Sequence, residues 1–109
     1  MNYKITDGQL WSVIFLYLDN QDFIQIKRDN NTYFVNSEDD EFAQIAYVKS
    51  NGNCFIYYKL IDEISSFFSL EVSDSEQVIG RWVKNTLQMR VTKTVLFGKR
   101  DLWLLRIPN

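Results

Sequence analysis

The stretch VTKTVLFGKRDLWLLRIPN (91–109) decides how this chain closes its sheet. Two runs able to form strands flank Gly98-Lys99-Arg100-Asp101, which supply turn chemistry, and Pro108 ends the pattern. The spacing predicts a C-terminal β-hairpin over 91–107. Immediately upstream the period changes. In DSEQVIGRWVKNTLQMR (74–90), Val78, Ile79, Trp82, Val83 and Leu87 recur at helical spacing. Asp74 or Ser75 is the expected cap of a helix over 75–89, and Asp74 and Glu76 suit the positive end of its dipole. Before it, IDEISSFFSL (61–70) fits a short helix with Ile61, Ile64, Phe67 and Phe68 along one side.

Further back the alternation is two-residue. FIQIKRDNNTYFVN (23–36) flanks Asp29-Asn30-Asn31, and QIAYVKSNGNCFIYYKLI (44–61) flanks Asn51-Gly52, the strongest short turn signal present. These runs predict four strands in an antiparallel meander, joined by the acidic connection SEDDE (37–41). At the start, Thr6 or Asp7 would cap a helix running to about Asn20, with Leu10, Ile14, Tyr17 and Leu18 as its stripe and Trp11 and Phe15 widening it. A strand over 11–18 is the rival, since WSVIFLYL is short and favours sheets. The expected class is therefore α+β: an N-terminal helix, an antiparallel four-strand meander, two helices and a C-terminal β-hairpin.

At 109 residues the chain is expected to form a single α+β domain spanning 1–109. With 46% hydrophobic residues, 4 Gly and 1 Pro, it has core material and little linker character. Cys54 has no second cysteine to pair with, so nothing requires an oxidising compartment. The apolar run 11–18 is far too short to span a bilayer as a helix and lacks a cleavage pattern, which points to the cytoplasm and away from any membrane partner.

The residue inventory excludes most chemistry. The chain has no His, which removes Ser-His-Asp and Cys-His catalysis and the commonest metal ligand. One Cys builds no structural zinc site, and the four glycines form no phosphate loop or dinucleotide fingerprint. Cys54 reads as a small core residue. Glu38, Asp39, Asp40 and Glu41 are consecutive, so they splay rather than converge as an acid–base pair would. No catalytic, cofactor-binding or metal-ligating residue is expected, and the chain is not expected to be an enzyme.

What remains is recognition. Aromatic residues make up 16% of the chain, more than a core this small needs. The expectation is a small cytoplasmic protein–protein interaction module, an inhibitor, immunity or accessory factor acting by surface complementarity. Its candidate protein-binding residues are the acidic Glu38, Asp39, Asp40 and Glu41 and the aromatic Tyr47, Tyr57 and Trp103. The partner would be another protein, and the open sheet edges make a homodimer an option.

The alternative follows from layout alone. Two helices and a hairpin resemble the end of a winged-helix protein, with helix 75–89 as reader and 91–107 as wing. That resemblance implies nucleic-acid contacts from Arg81 and Lys84 on the helix and from Lys99 and Arg100 at the wing tip. Charge divides sharply along the chain, with five Lys/Arg against 13 Asp/Glu in residues 1–80 and seven against one in residues 81–109. Nucleic acid is nonetheless the disfavoured partner: the chain has a pI near 5.0, and Asp74 and Glu76 occupy the end of the helix that would enter the groove.

Overall fold

The computed structural model describes residues 7–98 and 105–108. The elements run α1 (Asp7–Asp19), β1 (Ile24–Arg28), β2 (Asn31–Val35), β3 (Ile45–Val48), β4 (Asn53–Tyr57), α2 (Tyr58–Phe68), α3 (Val72–Leu87) and β5 (Lys93–Phe97).

The two turn signals work as local chemistry demands. β1 and β2 meet across Asp29 and Asn30, both at positive φ (51° and 68°), the twist a two-residue hairpin loop needs. Asp and Asn tolerate that region better than other side chains do. At the second turn Gly52 sits at φ +73° with its carbonyl accepting from Thr92 N–H at 2.8 Å. A Cβ there would come within 2.5 Å of Thr92 Oγ1, so position 52 needs glycine for both reasons.

The sheet itself corrects the expected layout. It is one mixed sheet of five strands in the order β1-β2-β3-β4-β5, not a four-strand meander with a separate hairpin. Residues 93–97 pair in parallel with β4, Phe55 opposite Val95 and Tyr57 opposite Phe97. The returning segment bonds elsewhere: Ala43 N–H donates to the Leu105 carbonyl and Ile107 N–H to that of Glu41. No 91–107 hairpin therefore forms among the described residues. The physical reason is the unpaired edge of β4. The α2–α3 connection is long enough for a parallel crossover, and β5 placed on that edge brings Phe97 against Phe55, ring centroids 4.9 Å apart. A parallel strand has no partner near it in sequence, so local pattern points to the wrong neighbour.

Helix limits also move. Tyr58 to Leu60, expected to continue the fourth strand, open α2 instead, directly after β4. α3 begins at Val72 with Glu71 as its N-cap, so Asp74 and Ser75 lie inside the helix. Ser75 is fully buried there, its Oγ 2.8 Å from Ser65 Oγ of α2. Both helices end on a residue in the left-handed region, Ser69 and Gln88.

Core side chains divide by strand parity. Phe34, Ile45, Tyr47, Cys54 and Ile56 face the helices and pack against Ile14, Leu18, Ile61, Ile64, Ile79 and Val83. The opposite sheet face carries Tyr33, Val35, Ala46 and Phe97, closed in part by Leu105. Gly80 lets α3 approach β5, since a Cβ there would meet the Thr94 methyl group at 2.7 Å. Among the described residues, no helix is long and apolar enough to cross a membrane.

Candidate functional site

The acidic connection mostly organises itself. Asp40 Oδ2 accepts from the backbone N–H groups of Asn36 and Ser37, each at 3.0 Å, and closes the turn after β2. Glu41 pairs with Arg106 at 3.2 Å, an exposed contact that ties the returning C-terminal segment alongside. Glu38 and Asp39 are left exposed on the loop.

The aromatic candidates separate. Tyr47 is buried on the helix side, and its hydroxyl donates to the Arg90 carbonyl at 2.7 Å. Tyr57 lies on the other sheet face, half-buried and edge-on to Tyr58 at 4.9 Å. The structure thus does not bring Tyr47 and Tyr57 together. Trp103, Lys99 and Arg100 lie outside the described residues.

Arg81 and Lys84 do fall together. Both line a cleft of about 520 Å³ between α1, α3 and the start of β5, with Trp11, Phe15, Gln77 and Thr92. The Arg81 guanidinium carbon lies 3.9 Å from the centroid of the Trp11 ring, a cation–π contact that orients the arginine. No described carboxylate comes within 4.0 Å of Arg81 or Lys84.

A second surface lies on the outside of α1. Ile14 and Leu18 turn inward and are fully buried, while Val13 and Leu16 are 51% and 60% exposed. On neighbouring α2, Phe67 is 70% exposed and its ring lies 5.4 Å from that of Tyr17. Together they make an apolar strip along the α1–α2 junction. Glu63 borders it: burial raises the Tyr17 pKa, and the adjacent Glu63 carboxylate raises it further by opposing the phenolate and accepting the hydroxyl hydrogen bond. The signal for this strip was present in WSVIFLYL, where apolar residues occupy every side of the helix rather than one stripe.

The remaining chemistry is sparse. Cys54 is buried, and desolvation pushes its thiol pKa up to about 12, far from nucleophilic reactivity at neutral pH. Among the described residues no three metal-capable side chains gather. Comparison of the chain with protein-family models, curated proteins and solved structures returns no match.

Proposed function

We propose that this chain is a small non-enzymatic interaction module, an inhibitor, immunity or accessory factor that acts by covering a partner protein. The observation that carries the proposal is the exposed strip of Val13, Leu16 and Phe67. A helix with apolar side chains on several sides is suited to an interior, and among the described residues none covers Val13 and Leu16. The bordering Glu63, exposed and beside Tyr17, favours a partner that offers an apolar ridge flanked by Lys or Arg. The missing histidine and the buried, protonated thiol support a role in binding rather than bond-making.

The test is a photo-crosslinking residue at position 16 or 67 in native lysate, followed by reconstitution with the purified crosslinked protein. The expected result is a defined complex that Leu16→Asp or Phe67→Asp abolishes while circular dichroism stays unchanged. A reconstituted complex that survives both substitutions overturns the proposal. A crosslinked product at twice the chain mass assigns the strip to a homodimer and removes the foreign partner.

A further inference from the structure

Two smaller clefts continue the one that holds Arg81 and Lys84. The second, about 320 Å³, includes Lys49 and Arg90 and shares Thr92 with the first. The third, about 330 Å³, includes Lys27 and Arg28 and shares Lys49 and Met89 with the second. Lys93 lines the first beside Thr92. The shared residues make the three neighbours in one open groove, running from the α1–α3 junction, past the end of α3, to the β1–β2 turn. Seven of the chain's 12 Lys/Arg line it, against a single carboxylate, Asp29. All seven cations are solvent-exposed.

Some of this charge has a local use. Lys84 sits in the last turn of α3 and Arg90 just beyond it, where cations offset the negative end of the helix dipole. Lys27, Arg28, Lys49 and Lys93 belong to strands and turns and gain nothing from that dipole. Overall net charge is no guide to such a site: a cleft lined by one sign focuses its potential locally, even on a molecule of net charge −2.

We propose that this groove holds the phosphate backbone of a single-stranded nucleic acid. Cations repeated from one cleft to the next suit a ligand whose charge repeats along a chain, and a single-stranded backbone can follow a groove that bends around a helix end. Thr92, Asn85, Gln77 and Asn30 add hydrogen-bonding side chains along the same walls. The mode differs from helix insertion into a duplex. α3 supplies two cations from its exposed flank, and Asp74 and Glu76 are not among the residues that line the groove. The groove is separate from the α1–α2 strip, so either surface can fail its test without the other.

Fluorescence anisotropy with labelled thymidine and uridine oligonucleotides tests the proposal, the pair separating DNA from RNA as the source of the strand. With five to seven phosphates neutralised, affinity should fall about 100- to 1,000-fold between 50 and 200 mM salt. Lys49→Glu and Lys84→Glu should each weaken binding and flatten that salt dependence, whereas Lys59→Glu, outside the groove, should leave both unchanged. Absence of binding at 50 mM salt, or a salt dependence untouched by Lys49→Glu and Lys84→Glu, overturns the proposal. So does tighter binding of a duplex of the same sequence. Polyglutamate of matching charge binding as tightly as the oligonucleotides also overturns it and gives the groove to an acidic protein segment.

Discussion

The Trp82 indole nitrogen donates to Asp19 Oδ1 at 2.9 Å, fastening the middle of α3 to the last residue of α1. Trp82 is otherwise enclosed, with Phe23 and Phe34 tilted or edge-on against it at 5.9 Å and 5.3 Å. The bond leaves the indole N–H satisfied inside an aromatic cluster. Asp19→Ala should cost about 1–3 kcal/mol, the penalty for a nearly buried donor left without a partner. Chemical denaturation followed by tryptophan fluorescence checks this, and an unchanged midpoint would show that water replaces the carboxylate.

Ser65 and Ser75 couple α2 to α3 through a single hydroxyl pair. Ser65→Ala and Ser75→Ala should each destabilise by about 0.5–1.5 kcal/mol, while the double variant costs clearly less than their sum. A double-mutant cycle measures the difference, and strict additivity would mean that the two hydroxyls act independently.

Gly52→Ala should lower stability by about 1–3 kcal/mol, because alanine is strained at φ +73° and its methyl group collides with Thr92. Adding Thr92→Ala should recover part of the loss, the collision, and leave the backbone strain. Thermal denaturation of both variants separates the two contributions.

Cys54 sets an alkaline limit. Its folded pKa is raised to about 12, above the unfolded thiol value of about 8.5. The unfolded chain therefore loses this proton first. Stability from keeping the thiol neutral is complete below the unfolded value and falls as pH climbs towards 12. Cys54→Ala should flatten that decline between about pH 9 and 11, the range above a free thiol's pKa, in denaturation midpoints. Alkylation at neutral pH should label the thiol only on unfolding.

How much of this was visible in the residues depends on how far each feature reaches along the chain. Asp29-Asn30 carries its turn within two residues and Asn51-Gly52 ends a four-residue turn over 49–52, and both turns sit where the pattern placed them. β5 finds its partner only after two intervening helices, and nothing in TVLF distinguishes the β4 edge from a hairpin arm. The same distance hid the groove. Lys27, Lys49, Arg81 and Lys93 lie on separate elements, and a sum over the acidic first part of the chain conceals that some of its cations join those of the last part. The α1 strip was missed for the opposite reason. Val13 and Leu16 are close in sequence, but a helix with apolar residues on several sides looks the same whether its far side meets its own core or another molecule.

The parallel placement of β5 also orders events in time. β1 to β4 can zip up hairpin by hairpin, each ladder closing over a short loop, whereas pairing β5 with β4 closes a loop that contains both α2 and α3, and contact order places it last. Until it docks, β4 has a bare row of amides and carbonyls on one side. A molecule caught at that stage would recruit a strand from a neighbour. The pairing of longest sequence separation and the edge that most needs covering thus meet at the same five residues.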